Sequence, residues 1–420
     1  MFNTVITFKG KRVINLISAI LIILLVLPDD VYNFLPIYSS FSKSYIASNR
    51  LNFHMGLIVL IILIIGIAEC IFHHNKLIFT VFLLMTIREV IFFFLTENNI
   101  FSNKAYEMYL VFFIGCAFAA IAYYENRSEI DIVRFFEFFL ITNIISLYFN
   151  VIIKGFNISE RYNASNLDVG GTGTLCVISL IYFLLKKDSI KLRKNILVLV
   201  SAIGLFLSGS RANLLFAVMI LALYYLSRVF SKREVSQQHI INAIAAVALV
   251  IVSIFIASIL FKSQISALFN SMRSFSNLLG GNISKDESVL GRTQSLLVGL
   301  KVLKKYPLGI SGYFLNLQYN MQILGYPTFP HSTLLSMYIL FGPIVFLTYY
   351  YWIKGLRITK QARSPFFWIL LYLTIASIVY GAPFLNFKNI FINCFVTVIA
   401  IHYPFINNSN SDEYLSVVYE

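Results

Sequence analysis

The sequence predicts an all-α protein of many membrane-spanning helices, and three observations predict it. Of 420 residues, 58% are hydrophobic and 12% charged, about half the charged share of a soluble globular domain. Apolar runs of about 18 residues or more, enough to cross a bilayer, recur from end to end. The 40 Phe and 25 Tyr suit a surface that meets both acyl chains and headgroups.

Twelve spans follow, near 12–28, 52–72, 77–95, 105–124, 134–153, 170–186, 196–209, 212–227, 240–261, 331–350, 366–383 and 390–405. The first follows a basic start, "FKGKR", and ends at "PDD" rather than at a small-residue cleavage site, so it reads as an uncleaved span. With the N-terminus in the cytoplasm, the inner segments carry 18 Lys and Arg and the short outer loops 7. That asymmetry puts both termini inside. It also accounts for the net charge of +14 without nucleic acid as a partner. Cys70, Cys116, Cys176 and Cys394 all fall in spans, without disulfide or metal spacing, and read as small apolar packing residues.

The whole chain, 1–420, reads as one integral membrane domain with a long outer loop, 262–330. Loops of this length are usually functional. Its first part places Ile265, Leu268, Phe269, Met272 and Leu279 on one helical face, and "GGN" ends that pattern. A second helical pattern begins near Ser288 and stops before Pro307. Two amphipathic helices on the outer membrane surface are therefore expected.

The outer face gathers the residues that can carry chemistry. Arg211 lies in "SGSRANLLF", at the tip of a tight hairpin between the seventh and eighth spans. Arg292 lies in "LGRTQ", in the first turn of the second loop helix, and Arg161 lies in "ERYNASNLDVGGTGT" before the sixth span. An arginine fork matches phosphate geometry, and a helix N-terminus favours anions. Two such arginines facing one cavity suit a diphosphate at the membrane surface. The plainer alternative for each is an interfacial anchor that snorkels to headgroups.

His331 stands where "YPTFPHSTLL" enters the tenth span. Pro327 and Pro330 stiffen the approach, and Pro330 suits a helix start. An imidazole held there is kept neutral by the dipole, as a general base requires; the alternative is interface filling. Arg88 and Glu89 lie about 18 Å along the third span, in its outer half. Adjacent helical residues face apart, so each needs its own partner. Glu69, Glu107 and Glu137 are either paired in the membrane or parts of a proton relay. No phosphate-binding loop, dinucleotide fingerprint, HExxH, EF-hand or Asp-x-Asp pair occurs, which points away from a nucleotide-linked donor.

The hairpin "SGSRANLLF", the loop "LGRTQSLLVGLKVLKKYPLGISGY", the entry "PHSTLLSMYILFGPIVFLTYY" and the stretch "RYNASNLDVGGTGTLCVISL" together resemble the bacterial O-antigen polymerase and ligase family. The resemblance covers roughly residues 160–350. It implies a polytopic inner-membrane glycosyltransferase of the GT-C type, acting at the periplasmic face on an undecaprenyl-diphosphate-linked glycan. It implies no metal and no cofactor. The family's two diphosphate-binding arginines fall on Arg211 and Arg292, and its essential histidine on His331; Arg161 and Arg88 are further substrate-binding candidates. The family usually has Asn after that histidine, and Ser332 stands here. The polymerase is favoured over the ligase, because it is the more varied class and specific to each glycan. A chain-length regulator protein is an admissible partner, beside membrane lipids. A lipid-linked glycan transporter fits the spans and the intramembrane acids, but such proteins often show internal repeats and none is visible.

Overall fold

The structure is a computed structural model that describes Leu84, Ile87, Arg88 and Ile91, residues 129–157, 160–164, 169–186, 191–230, 287–309, 332–361 and 364–379, and Val396, Thr397, Ile399 and Ala400. Among the described residues all regular structure is helical. The helices are α1 (Glu129–Lys154), α2 (Val169–Leu185), α3 (Lys191–Ser208), α4 (Arg211–Phe230), α5 (Glu287–Lys305), α6 (Thr333–Phe341), α7 (Val345–Gln361) and α8 (Pro365–Val379). Helices α1 to α4 and α8 overlap the expected spans 134–153, 170–186, 196–209, 212–227 and 366–383. The spans 12–28, 52–72, 105–124 and 240–261, the first loop helix, Glu69, Glu89 and Glu107 lie outside the described residues, as does most of 77–95 and 390–405.

Helix α2 is the centre of the packing. Every residue from Gly170 to Phe183 is buried, and a helix apolar on all sides belongs inside a bundle. It packs on α3 most extensively, and on α1, α4 and α8. Tyr148 of α1 donates to the Val200 carbonyl of α3 at 2.8 Å, and Trp352 of α7 donates to Thr374 of α8 at 2.6 Å. The outer faces are apolar too. On α1, Phe138, Ile145, Phe149 and Ile152 are exposed, and on α3 Ile196, Leu199, Ile203 and Phe206 are. These spacings put each set on one helical face. Such stripes are too extensive for a water-soluble monomer and suit a surface that meets acyl chains. Phe136–Lys154 is long and apolar enough to cross a membrane, and 169–185, 212–227 and 365–378 form shorter apolar helices.

The bundle has two distinct ends. At one, Glu137 of α1 accepts from Tyr182 at 2.8 Å and pairs with Lys186 and, at 3.7 Å, with Arg193. Phe136, Tyr182 and Phe366 stack edge-on and tilted beside it, 5.0 to 5.8 Å apart. Glu137 is therefore tied into an ion-paired end of the bundle next to the basic segment 186–195. At the other end, Gly155 (φ 76°) terminates α1. The buried Tyr162 hydroxyl donates to the Gly155 carbonyl and accepts from the Asn157 N–H, both at 2.6 Å. The Tyr162 N–H reaches the Leu207 carbonyl of α3 at 3.0 Å.

The expected single span 331–350 is broken. Helix α6 has 9 residues and rises only about 13 Å. Gly342 (φ 66°) ends it, Pro343 follows, and a 3-10 turn over Gly342–Ile344 leads into α7. Proline cannot continue the i→i−4 ladder, which is why the chain bends there. The Tyr349 hydroxyl of α7 bonds the Leu334 carbonyl near the start of α6, so the bend is sharp. Freed backbone at membrane depth is tolerated where protein covers it, and here the turn after α5 does so. Leu308 lies against Gly342, leaving no room for a Cβ. Tyr338 donates to the Pro307 carbonyl at 3.0 Å, and Arg88 donates to the Leu308 carbonyl at 2.8 Å.

This junction carries a stability prediction. A Cβ on Gly309 (φ 82°) would sit 2.7 Å from the Ile339 carbonyl oxygen and 2.9 Å from the Gly342 nitrogen. Gly309→Ala is expected to lose about 1–2 kcal/mol from its backbone conformation alone, with the clash added. The check is thermal unfolding in detergent beside wild type: an unchanged midpoint would mean that the junction yields freely.

Candidate active site

The turn that presents Arg211 is built from small residues. Helix α3 ends at Ser208, Gly209 takes φ 62°, and Ser210 precedes α4, whose first residue is Arg211. Gly209 has no steric difficulty with a left-handed conformation. The Ser210 carbonyl accepts from the Leu214 N–H at 3.1 Å, and the Ser210 N–H reaches the Ser208 hydroxyl at 3.3 Å. The expected tight hairpin is thus a two-residue turn with Arg211 opening the next helix, where free N–H groups and the dipole favour an anion.

Arg161 comes to the same turn. A Cβ on Gly209 would meet its Cγ at 2.8 Å and its Cδ at 3.3 Å, so its aliphatic stem lies across the glycine, and the residue is exposed. Arg161 and the Arg211 backbone therefore share the end of the bundle opposite Glu137. Asn163 beside it accepts from Asn150 through its carbonyl at 2.7 Å, while its buried side-chain oxygen has no hydrogen-bond partner among the described residues.

Arg292 is helical, but α5 begins at Glu287. That puts Arg292 in the second turn rather than the first, past the N–H groups left free at the start. Its attraction for an anion then rests on its fork more than on the helix end. Arg88 is placed elsewhere, on the Leu308 carbonyl at the far end of α5. It holds the turn after α5 against the break after α6, and this is the partner that its position in an apolar span requires.

His331 lies outside the described residues, and the chain is described again from Ser332. Ser332 is the N-cap of α6: its backbone is extended and its hydroxyl accepts from the Leu335 N–H at 3.4 Å. The helix starts at Thr333, so Pro330 is not its first residue as expected. A serine cap satisfies an end N–H that proline at the first position would merely lack. The departure from Asn at 332 keeps this function, since both residues cap well.

A polar cluster under the Arg211 turn was not foreseen. Asn213 is fully buried. Its amide donates to the Gly170 carbonyl at 2.8 Å and to the Ser210 hydroxyl at 2.9 Å, and its oxygen accepts from the Tyr372 hydroxyl at 2.8 Å. Thr172 accepts from the Ala164 N–H at 2.9 Å, which joins the Arg161 loop to the same helix start. The available signal was the small-residue run "GGTGT" at 170–174, which allows close approach in membrane helices.

Residues 196–350 match the family model described as O-antigen ligase. Over this segment the chain is similar to the O-antigen ligase and polymerase family. No curated protein matches the chain. The family's members are integral inner-membrane, glycosyltransferase-like enzymes of O-antigen assembly that use lipid-linked oligosaccharides. The matched segment contains Arg211, Arg292 and His331, with α4, α5 and the α5–α6 junction; Arg161 and Arg88 precede it.

Proposed function

We propose that this protein is a member of that family and an O-antigen polymerase working at the periplasmic face of the inner membrane, with both termini cytoplasmic. It transfers an undecaprenyl-diphosphate-linked glycan onto the non-reducing end of a lipid-linked repeat unit. His331 takes the proton of the acceptor hydroxyl as its oxygen attacks the anomeric carbon. The bond from that carbon to the diphosphate oxygen breaks, and undecaprenyl diphosphate leaves with the electron pair. Arg211 and Arg292 hold the diphosphate and stabilise its charge as it departs, and Arg161 lies beside Arg211 where it adds to that field. The observation that supports this reading best is the family segment 196–350 combined with a two-residue turn that sets Arg211 at a helix start. No metal is required, because the leaving group is a stable anion held by arginines.

A ligase remains the second reading, favoured by the description of the matched family itself. The two differ in acceptor. Purified protein in nanodiscs is given lipid-linked glycan extracted from cells lacking this chain, with either lipid-linked repeat units or lipid A core. A ladder of lengthened lipid-linked glycan is expected, and it persists in excess EDTA. Product on lipid A core alone would make the enzyme a ligase. Loss in EDTA restored by Mg²⁺ would overturn the metal-free displacement.

A further inference from the structure

Arg211 sits on a turn that apolar packing alone would be enough to close. The structure does something costlier. Asn213, two residues on and fully buried, brings an amide into a lipid-solvated bundle, where a polar group without partners is strongly disfavoured. Both its donor and acceptor functions are engaged, and its three partners come from three different elements. Gly170 opens α2, Ser210 belongs to the turn itself, and Tyr372 lies on α8, 159 positions along the chain. Tyr372 is also fully buried, so a phenylalanine there would pack as well, and only the hydroxyl reaches Asn213. Gly173 completes the seat. A Cβ on it would stand 2.5 Å from the Asn213 amide nitrogen and 2.6 Å from the Ser210 Cβ, so the turn approaches α2 as closely as a glycine allows.

Resting on the reading that Arg211 holds the donor diphosphate, we propose that Asn213 and Tyr372 are positioning residues that fix the height and angle of the Arg211 turn against α2 and α8. An arginine fork is useful only when its N–H groups meet the phosphate oxygens without searching for them. Hydrogen bonds from three elements specify one orientation of the first turn of α4, which greasy contacts between helices do not. Helix α8, which lies beyond the matched segment, is thereby part of the donor site's support.

The test is a double-mutant cycle read as affinity for undecaprenyl diphosphate, using the full-length protein in nanodiscs. Tyr372→Phe keeps the volume and removes one hydroxyl, and Gly173→Ala perturbs the same turn from α2. Each is expected to weaken binding about tenfold, since small misplacements of a binding group are costly. In an Arg211→Lys background each should change affinity by less than about twofold, because residues acting through one group are not additive. Full and independent effects in both backgrounds would make the cluster merely structural and overturn the proposal. So would wild-type affinity in Tyr372→Phe while Arg211→Lys binds poorly, and then the diphosphate reading would survive alone. Wild-type affinity in Arg211→Lys itself would remove the diphosphate reading and this inference with it.

Discussion

Cells whose only copy carries His331→Ala are expected to make no polymerised surface glycan, while the purified variant still binds undecaprenyl diphosphate with nearly normal affinity. The expectation follows from where the residue stands. Ser332 caps α6, so His331 immediately precedes a helix N-cap in the sequence, and the proposal sets it at the boundary between lipid and water. A sugar cannot enter the hydrocarbon and the prenyl tail cannot leave it, so acceptor hydroxyl and donor carbon can meet only there. General-base help is worth about 10²- to 10⁴-fold, enough to abolish a visible product. In the proposed site the arginines would supply the grip on the donor, so affinity should be spared. Lost affinity with a normal rate at saturation would make His331 a binding residue. Unchanged affinity and unchanged product would leave it as interface filling.

What was legible in the sequence was the part governed by local rules. The apolar runs placed α1 to α4 to within about five residues at each end, because a helix among lipid must satisfy its backbone internally. The tight hairpin at Arg211 followed from "SGSR"; its length of two residues came with the structure. The break in 331–350 was missed although "FGPI" carries Gly342 and Pro343. Hydropathy runs through the break undisturbed, and only the turn chemistry marks it. Arg292 was read one turn too early, being the sixth residue of α5, and Pro330 was read as a helix start that Ser332 takes by capping.

The rest depends on contacts that no local rule contains. Arg88 in an apolar span reads as a substrate ligand or as buried pairing with another span, and the sequence does not name the Leu308 carbonyl, 220 positions away, that it reaches. Glu137 reads equally as a relay or a salt bridge until Tyr182, Lys186 and Arg193 are set around it. Asn213 looks like an ordinary helix residue until the Gly170 carbonyl and the Tyr372 hydroxyl converge on it. Polar groups in a membrane bundle are informative because each must find such a partner, but the sequence names the need and not the partner.

Arg211→Lys and Arg292→Lys are each expected to lose most turnover while the proteins insert and accumulate normally. Lysine keeps the charge, so simple attraction to an anionic surface survives. What it loses is the planar pair of N–H donors that meets two phosphate oxygens at once. A charge-assisted bond to a departing oxyanion is worth about 2–4 kcal/mol, or roughly 30- to 1000-fold in rate. The proposal makes the loss larger for Arg211, the first residue of α4, where the free N–H groups at the helix start would add to the guanidinium's hold on the phosphate. Arg292, in the second turn of α5, works through its fork alone. The measurement is transfer rate at saturating lipid-linked donor in nanodiscs, with protein amount fixed by a tag. Near-normal rates for both variants would mean that charge near the headgroups is all that these positions need, and the arginines would be membrane anchors rather than diphosphate ligands.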